Sequence, residues 1–304
     1  MVSKLAICLI SAPTSLGLRP PRSGVIPGCY KAPTALRDAG LYGRLASLGS
    51  SDFGTIEPGR YSESVIPQSI RNQEQIIKFS QSLSDKILNV VGDGNAPLVL
   101  GGDCSVLVGA GIALRKAGRY GLIHLDGHTD FRHPGNSNEV ASLAGEDLAA
   151  VVGLHWDQIS NIDGLGPYFE PKNAVHAGCR DDDEHLPEVK PAIGLAISAS
   201  EIRRSGIEKT ASDILAFMKK ADVGGYWLHL DVDVLDPSVM PAVDSPSPGG
   251  LEPNELTNLL KLLSPDAVGA EVTIFDPDLD SSGIYARLIT SIVYEGLQSL
   301  GSLD

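Results

Sequence analysis

The stretch "APLVLGGDCSVLVG", residues 96–109, carries the strongest fold signal in the sequence. A short apolar run predicts a buried strand, two glycines, an aspartate and a cysteine follow it, and the apolar residues behind them favour a helix. In an open α/β sheet, the carboxyl ends of parallel strands border the ligand crevice. The stretch therefore predicts a strand, turn and helix that place Cys104 at such a crevice.

The rest of the chain repeats this alternation of short apolar runs and longer stretches of helical period. It predicts an α/β fold of three layers, α/β/α, with a mainly parallel central sheet. The predicted strands are residues 5–9, 97–100, 121–125, 174–177, 193–197, 225–230 and 267–275. The predicted helices are residues 69–91, 105–117, 138–152, 210–221, 253–263 and 283–300. Residues 12–67, rich in glycine, proline and serine, predict loops and short pieces over one edge of the sheet.

Length and charge limit the classes of function. The chain of 304 residues with 42% hydrophobic content predicts a single domain over residues 1–304. A net charge of −14 disfavours nucleic acid and anionic membranes as partners, and favours a small-molecule substrate. Residues 5–12 are interpreted as the first strand and not as a signal peptide. Four widely spaced cysteines do not form a disulfide framework, so we expect a cytoplasmic protein.

The stretch "LIHLDGHTDF", residues 122–131, places Asp126, His128 and Asp130 at alternate positions after an apolar strand. In an extended chain, side chains two and four residues apart point to the same side. Two carboxylates and an imidazole would therefore face one space. Gly127 would permit a close bend around such a cluster.

The stretch "YWLHLDVDVLDP", residues 226–237, has the same pattern, with Asp231 and Asp233 at alternate positions after an apolar strand. Carboxylates forced together raise one another's pKa values unless a cation neutralises them, so the two stretches predict a metal site. An aspartate at a strand end also commonly caps a helix or forms a turn, and that alternative stays open for either stretch alone. His124 and His229 are interpreted either as partners that orient the ligands or as core histidines.

Four motifs over residues 95–280 resemble the ureohydrolases, the family of arginases and agmatinases. They are "GGDCS", where the family usually has GGDHS, "DGHTD", "GCRDDD" and "HLDVDVLDPSVMPAVDSPSPGGL". The resemblance implies a three-layer, arginase-like α/β fold with a two-metal manganese site. It also implies that a metal-bridging hydroxide attacks a guanidinium carbon, and that the protein is a homo-oligomer.

The resemblance assigns the ligands by motif. Asp126, Asp130 and Asp231 would share the two metals, His128 and Asp233 would bind one, and Cys104 stands where the other metal's histidine usually stands. Asp130 would also accept a hydrogen bond from the attacking water and pass its proton to the leaving amine. As a thiolate, Cys104 would favour zinc, iron or nickel over manganese, whereas a neutral thiol would leave one metal weakly held; we favour retained ligation.

Two further departures from the family concern the substrate. Arginases have a His-Gly pair where this chain has Ala144 and Gly145, which leaves His133 as the nearest substitute for the proton-shuttling histidine. Members that bind guanidinium usually have a glutamate where Ile274 stands. Glu271 lies three residues earlier, on the opposite face of a strand, and is an unlikely replacement. Ordinary arginine is therefore expected to be a poor substrate.

Three residues are candidates for the rim. Asp183 matches the family position that meets the substrate's amino group, and Arg132 follows the metal motif closely enough to meet an anionic group. Arg180 is expected to pair with neighbouring acids.

These observations predict a metal-dependent hydrolase that cleaves a linear C–N bond in a small guanidino or amidine compound. The main alternative is a metal-binding ureohydrolase homologue without catalytic activity. An amide deacylase of the related deacetylase fold is less favoured, because its histidine pair is not seen. The apolar positions of the last helix could serve either an oligomer interface or the core.

Overall fold

An eight-stranded sheet runs through the computed structural model, which describes residues 6–302. The strands are β1 (Ile7–Ala12), β2 (Ser51–Thr55), β3 (Ala96–Gly101), β4 (Gly121–Leu125), β5 (Ala174–Ala177), β6 (Leu195–Ile197), β7 (Tyr226–Asp231) and β8 (Ala267–Thr273). Their order across the sheet is β2-β1-β3-β8-β7-β4-β5-β6. Every pairing between these strands is parallel, so all their carboxyl ends lie at one edge.

Eleven α-helices in the described part of the chain connect and cover the strands. They are α1 (Ala32–Asp38), α2 (Leu41–Ala46), α3 (Gln73–Gly92), α4 (Val106–Ala117), α5 (Asp147–Val151), α6 (Asp157–Ser160), α7 (Leu186–Ala192), α8 (Ala199–Ser205), α9 (Ile207–Lys220), α10 (Pro253–Leu263) and α11 (Ile284–Leu297). Helices α3 to α6 supply one apolar layer, and α1, α2 and α8 to α11 supply the other. The predicted three-layer architecture is confirmed.

The strands divide their apolar side chains between the two layers. In β1, Leu9 belongs to one buried cluster and Ile10 to the other, and in β3 the same holds for Leu98 and Val99. Strands buried on both faces appear in the sequence as continuous apolar runs, because neither alternate position faces water. This is why the central strands could be predicted from the sequence.

Several predicted boundaries differ from the structure. The predicted strand at residues 5–9 is observed at Ile7–Ala12, and residue 5 lies outside the described residues. Within residues 12–67 the structure forms β2, α1 and α2, which carry no clean period. The helix predicted at residues 138–152 is wrong in its first half. There the Glu146 carboxylate accepts hydrogen bonds from the backbone of Ala141 and Ser142, and the helix begins only at Asp147.

The apolar stripe of α11 belongs to the core of the chain itself. Ile289, Ile292, Val293 and Leu297 are each at most 4% exposed and pack within the cluster that contains α10. The alternative that this stripe forms an oligomer interface is therefore wrong, because its side chains are covered within one chain. The homo-oligomer stays a prediction.

Within residues 6–302, no helix combines the length and the apolar character that a membrane crossing requires.

Candidate metal centre

Cys104 lies just beyond β3, at the carboxyl edge of the sheet, and is fully buried. The chain reaches this position through a tight approach at Gly102, where a side-chain carbon would lie 1.7 Å from the carbonyl oxygen of Thr14. The Asp103 carboxylate stabilises the same segment, because it accepts hydrogen bonds from Gly17 N and Ser105 N. Cys104 is thereby fixed where the sequence predicts it.

Asp126, His128 and Asp130 converge, but not because the chain is extended. Strand β4 ends at Leu125, and the next residues form bends in which Asp126 Oδ1 accepts a hydrogen bond from His128 N at 2.6 Å. Asp130 has a φ of 46°, a left-handed conformation that aspartate tolerates better than most residues. Ligand atoms of the three residues lie within 4.8 Å of one another. The predicted convergence is confirmed and its extended geometry is wrong.

Asp231 and Asp233 reach the same space from β7. Asp231 ends the strand, and its Oδ1 accepts a hydrogen bond from Asp233 N at 2.7 Å in a short 3-10 turn. Asp233 Oδ2 lies 2.9 Å from His128 Nδ1, and its Oδ1 accepts a hydrogen bond from Gly127 N at 3.0 Å. Asp231 and Asp233 thus form a turn and also belong to the cluster. The turn-forming role and the candidate metal-binding role that the sequence left open are therefore compatible.

Two of the five groups of ligand atoms found among the described residues consist entirely of predicted ligands. One is Cys104, Asp126 and Asp231, and the other is Asp126, His128 and Asp130. They share Asp126, and Asp233 joins through its contact with His128. The six residues predicted as ligands are therefore brought together, in an arrangement that offers two adjacent positions to cations.

Burial sets the protonation of the cluster in the absence of a cation. It raises the pKa values of Asp126, Asp130 and Asp231 well above 3.8, and repulsion between neighbouring carboxylates raises them further. Burial also tends to raise the pKa of Asp233, but His128 outweighs it and holds that pKa below 3.8. The attraction of Asp233 in turn raises the pKa of His128.

Cys104 is a neutral thiol when no cation is bound. Burial raises the pKa of the thiol well above 9.0, and the nearby Asp231 and Asp147 carboxylates raise it further. The thiol donates at 2.9 Å to Asp231 Oδ2 and lies 3.2 Å from Thr273 Oγ1. A bound cation would reverse this preference, because metal ligation requires the thiolate.

The donor set fits a pair of divalent metal ions. Asp126 Oδ2 is buried and has no hydrogen-bond partner among the described residues, which is costly for a carboxylate oxygen. Carboxylates that repel one another in a buried space are stabilised by a divalent cation. One imidazole and one thiolate among the carboxylates suit transition metals better than calcium or magnesium.

The cluster opens into a cavity of about 470 Å³. Its walls carry His128, Asp130, Asp231 and Asp233 from the cluster together with Arg132, Asp183, Ala144 and Ile274, all named from the sequence. Asp183 accepts hydrogen bonds from Thr129 Oγ1 at 2.6 Å and from His185 N at 2.9 Å, which fix its carboxylate at the wall. Arg132 lies 3.6 Å from Glu184, at the more exposed end.

The structure does not bring His133 to this cavity wall. Its Nε2 lies 3.0 Å from Glu188 Oε1, and its Nδ1 accepts a hydrogen bond from Gly135 N. His185, which the sequence analysis did not single out, does line the cavity, with its Nε2 3.2 Å from Glu184. The only sequence signal for it was its place two residues after Asp183. A proton-shuttling role for His133 stays a prediction.

Arg180 binds carbonyl groups and not acids. Its guanidinium donates to the carbonyl oxygen of Ser247 at 2.6 Å and to those of Asp233 and Leu235 at 2.9 and 3.2 Å. The expected pairing with neighbouring acids is therefore wrong. The side chain is buried under the loop that follows β7, where carbonyl groups need donors.

The wall position of the family's glutamate is apolar. Ile274 lies just beyond β8 and borders the cavity, with a φ of 72° that is rare for a β-branched residue. Glu271 is fully buried on the other side, where its carboxylate lies 2.7 Å from His229 Nδ1. The offset predicted for the two residues is observed.

Fold and cluster together define a class of protein, the three-layer α/β proteins with a carboxylate-rich candidate metal site at the carboxyl edge of a parallel sheet. The sequence model of the arginase family matches residues 6–298. The arginase of Bacillus caldovelox is 31% identical over 297 residues, covering 94% of this chain and 96% of the relative. Its crystal structure superposes with a TM-score of 0.86 at 28% identity, covering 96% and 98% of the two chains.

A more distant similarity concerns the fold alone. The proclavaminate amidino hydrolase from Streptomyces clavuligerus has a TM-score of 0.71 at 24% identity, covering 97% of this chain and 91% of that one. The chain belongs to the arginase family, and this membership implies a hydrolase.

Proposed function

We propose that this protein uses two divalent metal ions to hydrolyse a linear C–N bond in a small guanidino or amidine compound other than arginine. The observation that carries the proposal is the set of six ligand residues, converging from three strand ends and opening into one polar cavity. Relatives named arginase support the reaction class. The departures at Cys104, Ala144 and Ile274 argue for a different substrate.

Cys104 would hold one metal, His128 and Asp233 would hold the other, and Asp126, Asp130 and Asp231 would be shared between them. When bound, such a pair supplies an electrophile and an activated water, because it lowers the pKa of the water toward neutrality. His128 and Asp233 are already within 2.9 Å of each other, so little rearrangement would precede binding at their position. Cys104 favours zinc, iron or nickel for its own position, and manganese remains the metal expected from the family.

Asp130 is the residue we assign to proton transfer. It belongs to the cluster and also borders the cavity, so its carboxylate can meet both the attacking water and the departing amine. Geometry of this kind is the first requirement for a general base. Asp130 has a left-handed φ of 46°, and it borders the cavity.

The cavity wall favours a substrate whose amidine group needs no carboxylate partner. Ile274 offers only apolar surface where a glutamate would form a charge-assisted hydrogen bond to a guanidinium. Asp183 and Arg132 remain on the wall to bind the amino and acidic ends of a substrate. The missing carboxylate would weaken the binding of a neutral or hydroxylated guanidino group less than the binding of a cationic one.

A second candidate function is a metal-binding homologue without activity. The observation that favours it is that the Cys104 thiol already has hydrogen-bond partners in Asp231 and Thr273. The buried polar groups at this position can therefore be paired without a metal ion. Turnover of an amidine compound by the metal-loaded protein, abolished in Asp231→Ala, would exclude this candidate.

The direct test replaces Asp130 by asparagine. In Asp130→Asn the side chain keeps its size and an oxygen ligand but cannot accept a proton, so kcat should fall by about 10²-fold or more while metal content is unchanged. The measurement pairs metal analysis by mass spectrometry with release of amine or urea from a panel of guanidino and amidine compounds. Asp266→Asn, before β8 at the opposite edge of the sheet, serves as the matched control. Full activity in Asp130→Asn would remove the assigned role.

A further inference from the structure

Four ionisable side chains meet beneath the candidate metal centre, toward the middle of the sheet. They are His124, Asp126, Asp147 and His229, called here the buried quartet, and each is at most 1% exposed. His124 and His229 are directly opposed in the pairing of β4 with β7, and Asp147 is the first residue of α5. Only Asp126 belongs to the ligand set inferred from the family.

Both imidazoles use one ring nitrogen and leave the other directed into the quartet. His229 Nδ1 lies 2.7 Å from Glu271 Oε1, and His124 Nδ1 lies 3.0 Å from His176 Nδ1. The two rings of the quartet are stacked, with centroids 4.6 Å apart. A histidine that binds a metal through one nitrogen usually has the other oriented by a carboxylate or another acceptor, and Glu271 does this for His229.

The inward atoms approach one another without bonding. His124 Nε2 lies 3.4 Å from Asp147 Oδ1 and 3.6 Å from Asp126 Oδ2. His229 Nε2 lies 3.9 Å from Asp147 Oδ2. Five atoms are left without a hydrogen-bond partner among the described residues: the two Nε2 nitrogens, Asp126 Oδ2 and both oxygens of Asp147. Fully buried polar atoms are nearly always satisfied, so this convergence points to a ligand.

The separations suit a metal ion between the atoms. In a tetrahedral site with nitrogen and oxygen ligands about 2.0–2.2 Å from the metal, the ligand atoms lie about 3.3–3.6 Å from one another. The quartet's distances of 3.4, 3.6 and 3.9 Å need only a small contraction to reach this range. Two imidazoles and two carboxylates form a donor set that suits zinc.

We propose that a divalent transition-metal ion binds to the buried quartet, through His124 Nε2, His229 Nε2, Asp147 and Asp126 Oδ2. The site shares Asp126 with the positions served by Cys104, His128 and Asp233. It also borders the Cys104 position, because ligand atoms of Cys104, Asp147 and His229 lie within 4.8 Å of one another. The ion neutralises two buried carboxylates and orients Asp126, whose other oxygen faces His128. The proposal does not depend on turnover, so it can be tested separately from the proposed function.

Protons shared within the quartet are the competing explanation. Hydrogen bonds between its members would bring nitrogen and oxygen to about 2.7–3.2 Å, whereas all three observed separations are longer. The neighbouring pair His155 and Glu146 shows the contrast, since its nitrogen and oxygen lie 3.0 Å apart. His155 is also buried, which makes it a matched control.

The test locates and counts bound zinc. The protein is loaded with Zn²⁺, freed of excess by dialysis, and crystallised for anomalous diffraction at the zinc edge. We expect an anomalous peak within bonding distance of His124 Nε2 and His229 Nε2. In solution, His229→Ala and Asp147→Ala should each lose one zinc ion per chain relative to the unaltered protein, whereas His155→Ala should lose none.

Crystals of the unaltered protein keep the test decisive even where a variant fails to fold. Zinc found only at Cys104, Asp126, His128, Asp130, Asp231 and Asp233 would overturn the proposal. An unchanged zinc count in folded His229→Ala or Asp147→Ala would overturn it as well. Absence of turnover in the unaltered protein, with the zinc peak present at the quartet, would contradict the proposed function and support this site.

Discussion

Under the proposed function, Cys104 controls which metal ion binds at its end of the cluster. Its sulfur is buried among carboxylates that disfavour a thiolate, and it donates a hydrogen bond to Asp231. Binding a metal therefore requires the thiol to lose its proton. Only a cation with a strong affinity for sulfur offsets the free-energy cost of that deprotonation. Hard manganese gains less from a thiolate than zinc does.

Cys104→His should therefore shift metal preference. We expect the ratio of manganese to zinc retained after loading in an equimolar mixture to rise by about tenfold, because a neutral imidazole replaces a thiol that must ionise. Mass spectrometry of the dialysed protein gives the ratio. Cys179→Ser, which changes another buried cysteine, should leave it unchanged. Equal ratios in the two variants would mean that Cys104 is not a ligand.

Under the proposed function, Ile274 selects which guanidino compounds bind in the cavity. Ile274→Glu restores a carboxylate at the wall, so KM for a cationic guanidinium compound such as arginine or agmatine should fall by about tenfold or more, as expected for a charge-assisted hydrogen bond. Ile274→Gln, similar in size and backbone strain but uncharged, is the control. A KM that falls equally in both variants would show that charge at this position does not select the substrate.

At the scale of elements, loops between strand and helix set the site's geometry. The turn after β4 packs against the turn after β7, and Arg180 joins the latter to the loop near Ser247 through backbone carbonyls. Gly127 lies at the contact, and its φ is not among the positive values found in this chain. What it supplies is space: a side-chain carbon there would lie 2.6 Å from the Asp233 carbonyl oxygen and 2.6 Å from Arg180 Nη1.

Gly127→Ala should lower the free energy of unfolding by about 1–3 kcal/mol, the usual cost of overpacking a closely packed site. It should also reduce metal retention, because the two turns carry His128 and Asp233. Denaturant unfolding of the metal-free protein isolates the packing effect. Gly43→Ala in α2, where a side-chain carbon meets nothing within 4 Å, should be neutral or stabilising. Equal stabilities for the two variants would refute the steric account.

At the scale of the whole molecule, buried carboxyl groups without a bound cation make the free energy of unfolding depend on pH. In the metal-free protein, burial raises the pKa values of Asp126, Asp130 and Asp231 well above 3.8, and it raises the pKa of Asp147 to about 7. The unfolded chain releases the protons of these carboxyl groups near pH 4, so the folded state binds more protons at neutral pH. Stability must then fall as pH rises through the folded pKa values.

The metal-free protein should therefore be less stable at pH 8.5 than at pH 6.5. Each carboxyl that is protonated in the folded state and ionised in the unfolded chain lowers the free energy of unfolding by about 1.36 kcal/mol per pH unit. His124 and His176, whose pKa values are lowered, act in the opposite direction only below about pH 6.5. Thermal unfolding of chelator-treated and metal-loaded protein at both pH values measures the effect. We expect a fall in Tm without metal and a much smaller fall with it; a metal-free Tm that rises with pH would contradict the assignment.

The sequence by itself determined the layered α/β fold and the positions of the candidate ligand residues, because both depend on local pattern. Strands buried on two faces appear as apolar runs, and polar residues at their ends must lie at the carboxyl edge of a parallel sheet. The tertiary structure alone decided the carbonyl partners of Arg180, the irregular chain before α5, the space around Gly127 and the meeting of Asp147 with His124 and His229. These features depend on contacts between segments far apart in sequence, and periodicity carries no information about which segments meet.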